Sequence, residues 1–193
     1  MKLKLILATA ILGTALAVPS VSGAGIASQS ATYNALTSEV AFTLVFDEPP
    51  DFFSTDALGR QADSFQYFIV GDPTLPYPSL YDSLIRGEEL HLTIDQIPIR
   101  DAVTAALRGS VPYSLTGAEL SFSAPLSLIS DHTDARTIQY VLETYEFGAL
   151  TGGVIGEVVL LTSKGQCNHG GWQQFGFKNQ GQCLKFVQHS PNP

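Results

Sequence analysis

Hydrophobic and polar residues alternate along several short stretches of the chain, with the period of two that is typical of β-strands. In SEVAFTLVF (residues 38–46), Val40, Phe42, Leu44 and Phe46 share one face of the predicted strand. Six further strands are predicted, in SFQYFIV (64–70), ELHLTID (89–95), VPYSLTG (111–117), AELSFSA (118–124), TIQYVLETYEF (137–147) and VIGEVVLLT (154–162). Of these, SFQYFIV is apolar on both faces and rich in β-forming residues, which indicates a strand that is covered on both sides.

The spacing of these strands favours an all-β fold. They follow one another at intervals of roughly 10 to 25 residues, and Gly, Pro, Asp and Ser separate them, which is typical of a β-sandwich or barrel rather than of βαβ units. We therefore predict an antiparallel β-sandwich, or an open barrel, of about seven to nine strands over residues 30–162.

Two short stretches predict helical turns. PSLYDSLIRG (78–87) and DAVTAALRG (101–109) each place a capping residue, Ser79 or Asp101, before an apolar pattern that ends at a glycine. Each is too short to be stable as an isolated helix, so both are expected to pack against the sheet.

The first 23 residues resemble a signal peptide in their organisation. Lys2 and Lys4 precede an apolar run over residues 5–17, which ends in the small residues ALA. A run of roughly 13 residues is shorter than the ~20 that a membrane-spanning helix needs. We predict a secreted or extracytoplasmic protein with no transmembrane segment in the mature chain, and cleavage near position 17, Gly23 or Ala27.

Charge is unevenly distributed along the predicted mature chain. Beyond the first 23 residues there are eight basic and 18 acidic residues, a net charge of −10. From Lys164 onward there are three lysines and no acidic residue, so residues 24–163 carry −13 and the C-terminal part +3. An acidic domain of this kind is unsuited to nucleic acid, whose phosphates select for Lys and Arg.

Common enzymatic signatures are absent from the sequence, which contains no GxSxG, HExxH, SxxK or Gly-rich phosphate loop. We therefore identify no catalytic residue and predict no cofactor. The stretch SDHTD (130–134) sets Ser130 and two aspartates around His132, but a polar loop between two strands explains these residues without any chemistry and is the favoured interpretation. A hydrolase that uses a pair of carboxylates from distant segments stays open as an alternative.

An acidic stretch, DEPPDFFSTD (47–56), contains weak calcium candidates: Asp47, Glu48, Asp51 and Asp56. Pro49 and Pro50 stiffen this stretch, which favours a solvated acidic loop without a bound ion. Phe52 and Phe53 predict an exposed apolar contact site, unless they fold back onto the core.

Both cysteines lie in CNHGGWQQFGFKNQGQC (167–183). A zinc site would need Cys167, His169, Cys183 and His189, whose spacing does not match the usual motifs, and a redox pair would need CxxC. In an exported protein, a structural disulfide between Cys167 and Cys183 is favoured, and closing a loop of 15 residues is worth about 3 kcal/mol.

Glycines around WQQFGF and CLKFV predict that residues 163–193 form a disulfide-braced hairpin. Within it, possible ligand contacts are Trp172, Gln173, Phe175, Phe177 and Asn179, because aromatic rings beside amides suit sugar rings. Alternatively, the rings form a small core. The sequence favours a non-enzymatic binding or structural module, with a glycan or another extracellular protein as ligand.

The C-terminal segment also resembles a short element that recurs at the end of assorted secreted bacterial proteins, with the shape TSKxxCxxGGWxxFGxFKNQGQCxxFV. Residues 163–187, SKGQCNHGGWQQFGFKNQGQCLKFV, match it in Lys164, both cysteines, GGW and FKNQGQ. The chain departs from it at Asn168 and His169, and it lacks one residue before Phe177. The resemblance implies export, a disulfide and a bacterial origin, and it implies no activity.

Overall fold

The computed structural model describes residues 24–71, 74–75, 79–87, 95–131 and 136–189. Within this part of the chain the strands are β1 (Ile26–Asn34), β2 (Glu39–Phe46), β3 (Asp63–Val70), β4 (Tyr81–Arg86), β5 (Gln96–Asp101), β6 (Leu107–Thr116), β7 (Glu119–Pro125), β8 (Thr137–Glu146) and β9 (Ala149–Val159). A short helix, α1 (Leu126–Ile129), follows β7.

The nine strands form one antiparallel sheet in the order β1-β2-β7-β6-β5-β4-β3-β8-β9. Its two edge strands, β1 and β9, lie against each other, so the sheet is a nearly closed barrel. The predicted antiparallel all-β class and the number of strands are confirmed, and of the two predicted architectures the barrel describes the sheet. The predicted strand ELHLTID lies largely outside the described residues.

The barrel is filled by the alternating residues that the sequence pattern identified. Val40, Phe42, Leu44 and Phe46 of β2 are each at most 2% exposed. The ring of Phe42 stacks on Phe122 with centroids 4.9 Å apart. Since large aromatic side chains pack across the centre, the interior of the barrel is a hydrophobic core.

Within the first predicted helical stretch, PSLYDSLIRG, the structure has a strand instead of a helix. Residues 81–86 form β4, which pairs with β3 and β5. Ile85 points into the core and is fully buried, and the buried Ser83 hydroxyl donates a 2.6 Å hydrogen bond to the Ile129 carbonyl. Burial between two neighbouring strands outweighs the weak helical pattern of so short a stretch.

The second predicted helical stretch, DAVTAALRG, is also wrong, because it forms the turn between β5 and β6. Asp101 caps as expected: its carboxylate accepts hydrogen bonds from the N–H groups of Val103 and Thr104. The chain then reverses through Ala105, whose φ is 58°, and Leu107 begins β6. The capping signal was real, but it belongs to an Asx-type turn.

The C-terminal segment is a small helical element and not the predicted hairpin. After β9 come two 3-10 helices, Lys164–Cys167 and Gly171–Phe175, and then α2 (Gln180–His189). The predicted disulfide is present: Cys167 and Cys183 are bonded and fully buried. They belong to a second hydrophobic cluster, separate from the barrel core, which also contains Ala35, Leu161, Phe175, Phe177 and Val187.

Several sequence predictions fall outside the described residues. These are the predicted signal peptide (1–23), and His132 and Asp134 of the SDHTD stretch. Among the residues that are described, no helix has the length and apolar character needed to cross a membrane.

Candidate functional site

The C-terminal element is fixed to one end of the barrel by hydrogen bonds to backbone groups of both. The Gln166 side chain accepts from the N–H of Thr162 at 2.8 Å and donates to the carbonyl of Leu160 at 2.7 Å, which secures the chain as it leaves β9. The N–H of Ala35, just after β1, donates to the carbonyl of Phe175 at 3.1 Å. The element therefore has a defined position beside the turn that connects β1 and β2.

Helix α2 begins with a side-chain cap. The Asn179 side-chain oxygen accepts a 2.9 Å hydrogen bond from the N–H of Gln182, as expected of an N-cap residue. Gln182 in turn accepts from the N–H of Lys178 at 3.2 Å. Asn179, a possible ligand contact from sequence, thus stabilises the helix, and its side-chain oxygen is engaged in that role.

One face of α2 carries polar and apolar side chains at helical spacing. Gln182, Lys185, Phe186 and His189 are three or four residues apart, so they lie along the same side of the helix. His189 is held there by a 2.7 Å contact between its Nδ1 and the carbonyl of Lys185.

This face of α2 borders an open groove of about 470 Å³. We call it the basic groove; its lining residues are Leu36, Gly176, Phe177, Lys178, Gln182, Lys185, Phe186 and His189. The rings of Phe177 and Phe186 meet with centroids 5.4 Å apart and form its apolar floor. Leu36, which is 56% exposed, adds an apolar wall from the barrel. Its charged lining residues are cationic, and none is acidic.

The aromatic residues predicted as one ligand-binding face do not form one. Phe175 is 1% exposed and lies in the second hydrophobic cluster. Phe177 is 4% exposed, at the floor of the basic groove, while Trp172 is half-buried and Gln173 is exposed. The alternative reading, in which the rings are a small core, describes Phe175 and Phe177.

The candidate calcium ligands do not converge on one point, and two of them, Asp51 and Asp56, accept hydrogen bonds within local turns. Asp47 accepts from the N–H of Gly25, and Asp56 pairs with Arg60 at 2.6 Å. Hydrogen bonds from the side chain and N–H of Ser54 lower the pKa of Asp51. Throughout the described ranges, no three His, Cys, Asp or Glu residues gather as a metal site would require. Glu48 is exposed at the end of β2.

The two phenylalanines of the acidic stretch have different environments. Phe52 is fully buried against Phe46 and Phe65 in the barrel core. Phe53 is 51% exposed. The predicted apolar contact site therefore rests on Phe53 alone of this pair.

The carboxylate pair most relevant to the hydrolase alternative is Asp101 and Asp131. Both contact the same Arg108 nitrogen, at 3.1 and 2.7 Å, so their oxygens are at most 5.8 Å apart. Hydrogen bonds from Thr104, and from Arg108, lower the pKa of Asp101 to about 2. A glycosidase needs one carboxyl with a raised pKa as proton donor. The hydrogen bond from Arg108 helps to lower the pKa of Asp101, so Asp101 does not suit the role of proton donor.

Sequence reasoning missed the residues of the basic groove. The sequence did contain a signal for a basic surface. Three lysines and no Arg, Asp or Glu follow position 163, and two of these lysines, Lys178 and Lys185, line the groove. The spacing of Lys185 and His189 was a second signal, but it indicates a shared face only once this stretch is recognised as a helix.

The lining of the basic groove offers phenylalanine rings, two ammonium groups, an imidazole and an amide, which are groups that can contact an apolar or anionic ligand. Comparison of the chain with family models, curated proteins and solved structures gives no match.

Proposed function

We propose that this protein is an exported, non-enzymatic binding module whose basic groove binds an acidic polypeptide segment that carries apolar side chains. The observation that carries the proposal is the combination of an apolar floor, Phe177 and Phe186, with a rim that contains Lys178, Lys185 and His189. This combination lies on a chain whose remaining part is strongly acidic.

Two features of the groove define the ligand. An apolar side chain of the ligand is stabilised by leaving water against the phenylalanine rings, at about 25 cal/mol per Å² of buried apolar surface. A carboxylate of the ligand is attracted by the lysines at the rim. Because the body of the protein, at −13, repels anions, the groove is the place where an acidic segment is attracted.

Export is part of the same proposal. It is supported by the apolar N-terminal stretch with its basic start, by the disulfide, and by the resemblance of residues 163–187 to an element of secreted proteins. The N–H of the buried Ala24 donates to Asp63 at 3.2 Å. Cleavage at position 17 or Gly23 would keep this contact, whereas cleavage at Ala27 would remove the first residues of β1.

Binding is tested by fluorescence anisotropy with a labelled twelve-residue peptide of Asp, Glu, Phe and Leu, against a control peptide in which Asn and Gln replace the acids. We expect the double variant Lys178→Glu/Lys185→Glu to bind the acidic peptide about tenfold more weakly or worse, since it reverses two rim charges. The matched control is Lys164→Glu, in the same element but outside the groove, which is expected to bind within about twofold of wild type.

Two results would overturn the proposal. One is equal affinity for the acidic and the amide peptide. The other is an equal loss of binding in Lys164→Glu and in the groove variant, because that would show an effect of overall charge rather than of the groove.

A further inference from the structure

The loop between β2 and β3, residues 47–62, has the chemistry that the basic groove requires. We call it the acidic loop. It exposes two apolar side chains, Phe53 at 51% and Leu58 at 77%. Its charged residues are Asp47, Glu48, Asp51, Asp56 and Arg60, four acids and one base, so its net charge is −3, and Arg60 pairs with Asp56. An acidic segment with exposed apolar side chains is therefore present in this chain.

The acidic loop is held in a defined shape. Asp51 accepts from the N–H groups of Phe53 and Ser54, at 3.1 and 2.9 Å, and Asp56 accepts from the N–H groups of Leu58 and Arg60. The Gln61 side chain donates to the carbonyl of Phe52 at 2.6 Å. A preorganised loop loses little conformational entropy when it binds.

Neighbouring side chains extend the apolar surface of this end of the barrel. The N–H of Phe147, in the turn between β8 and β9, donates to the carbonyl of Gln61 at 2.9 Å. Phe147 is 38% exposed and Leu150 is 61% exposed. The exposed residues of the acidic loop thus lie on one end of the barrel together with those of the β8–β9 turn.

The acidic loop and the basic groove lie at opposite ends of the barrel. Strand β2 begins after the turn that carries Leu36 and ends at Phe46, where the acidic loop starts. At about 3.3 Å per residue, its eight residues separate the two ends by roughly 26 Å. The loop therefore cannot reach the groove of its own chain.

We propose that the basic groove binds the acidic loop of a second copy of this chain, so that Phe53 or Leu58 packs on Phe186 and Leu36 while loop carboxylates face Lys178 and Lys185. This inference rests on the proposed function and names its partner. The inference is supported by the complementary charges of the acidic loop and the basic groove and by the apolar side chains at the centre of each surface.

Such an interface is heterologous, because each copy contributes a different surface. It joins copies head to tail, and it produces either a closed ring or an open series of oligomers. Salt screens the attraction between the loop and the groove, and it also screens the repulsion between two copies whose residues 24–193 each carry −10. At 0.15 M the Debye length is about 8 Å, so charges in contact at the interface still attract while the bodies of the two copies repel each other weakly, and association is expected at this ionic strength.

Sedimentation velocity on complementary variants tests the proposal. The groove variant is Lys178→Glu/Lys185→Glu, and the loop variant is Phe53→Ser/Leu58→Ser; all four changed side chains lie outside the barrel core. We expect wild type to form concentration-dependent oligomers at 0.15 M salt and each variant alone to be monomeric. An equimolar mixture is expected to form a heterodimer that does not grow, since it retains one intact groove and one intact loop.

The matched control is the double variant Val103→Ser/Leu107→Ser. These side chains lie in and just after the β5–β6 turn and are 56% and 59% exposed, and the variant is expected to oligomerise like wild type. A monomeric wild type at high concentration and 0.15 M salt, a mixture of variants that stays monomeric, or a loop variant that still self-associates would each overturn the inference.

Peptide binding separates this inference from the proposed function. If the loop variant binds the acidic peptide while wild type stays monomeric, the groove binds acidic segments but its partner is not a second copy. If the loop variant does not bind the acidic peptide, the proposed function itself is wrong.

Discussion

The N–H of Ala35 donates a 3.1 Å hydrogen bond to the carbonyl of Phe175, and this contact connects the barrel to the C-terminal element. Ala35 is 1% exposed and belongs to the hydrophobic cluster of that element. The contact sets the positions of the two residues that follow its partners, Leu36 and Gly176, both of which line the basic groove. The groove therefore depends on the docking of the element as well as on its internal fold.

Gly176 provides a direct test of that docking. Its φ is 84°, and a Cβ at this position would lie 2.6 Å from the side-chain oxygen of Asn34, which itself accepts from the N–H of Leu36. We expect Gly176→Ala to lower the free energy of unfolding by more than the roughly 1–2 kcal/mol of left-handed backbone strain alone. Urea denaturation followed by Trp172 fluorescence measures the loss.

The matched control is Gly59→Ala. Gly59 has a similar φ of 75°, but nothing lies within 4 Å of the added Cβ. Its cost is therefore expected to be the backbone strain only. Equal losses in the two variants would contradict close packing between Gly176 and Asn34.

Removing the disulfide is expected to weaken the C-terminal element more than the barrel. The double variant Cys167→Ser/Cys183→Ser should destabilise the element by about 3 kcal/mol, the estimate for a closed loop of this length. Because the barrel has its own core, the urea transition of Trp172 fluorescence should move to lower concentration than the transition of the β-sheet circular dichroism signal. Equal shifts of both signals would show that the two cores unfold as one unit.

Removing the hydroxyl group from two tyrosines of the barrel is expected to change the stability of the protein differently. The Tyr67 hydroxyl is buried without a hydrogen-bond partner among the described residues, and burial raises its pKa. The Tyr140 hydroxyl donates to Gln29 of β1, across the seam between the edge strands. We expect Tyr67→Phe to be neutral or stabilising and Tyr140→Phe to cost about 1 kcal/mol.

Thermal and urea denaturation of the two variants measure this difference. Each serves as the control of the other, since both changes remove one oxygen from a tyrosine whose side chain lies in the same core. A loss of stability in Tyr67→Phe as large as in Tyr140→Phe would contradict the assignment of their hydrogen bonds.

Asp101 predicts a pH dependence of stability. Its pKa is about 2 in the folded chain, against an ordinary value of 3.8, because Thr104 and Arg108 donate hydrogen bonds to the carboxylate. A lowered pKa contributes stability that is present above pH 4 and is lost as the pH falls towards 2. We expect Asp101→Asn to be less stable than wild type at pH 7 and the difference to shrink between pH 4 and pH 2.

Urea unfolding at pH 7, 4, 3 and 2 measures that difference, with Glu119→Gln, an exposed carboxylate at the start of β7, as control. A difference between wild type and Asp101→Asn that stays constant down to pH 2 would contradict the role given to the carboxylate.

Strands with a buried face were predictable, because alternation reports burial directly. In β2 the pattern from Val40 to Phe46 identified the inward residues. Strand β4 was not predictable in this way. The spacing of Leu80 and Leu84 indicated a helix, but this stretch pairs with β3 and β5 instead. β5 contains Pro98, a residue type that is rare inside a sheet because it lacks an N–H, yet Pro98 is buried here between β4 and β6.

The candidate site was less predictable than the sheet. The disulfide followed from compartment and spacing, but the helix that it anchors did not, because Gly181 indicated a turn. Asn179 as a cap and the spacing of Cys183 and Val187 were the opposing signals. The groove itself brings Leu36 together with residues about 140 positions later, and such a contact exists only in the folded chain.

The most direct test of the account is to map the binding surface by two-dimensional NMR, with a ¹⁵N-labelled loop variant titrated with the acidic peptide. Binding in the basic groove predicts that the largest amide shifts fall on Leu36, Gly176, Gln182, Lys185 and their neighbours. Shifts confined to the barrel strands or to the surface around Trp172, or no shifts at all, would contradict it.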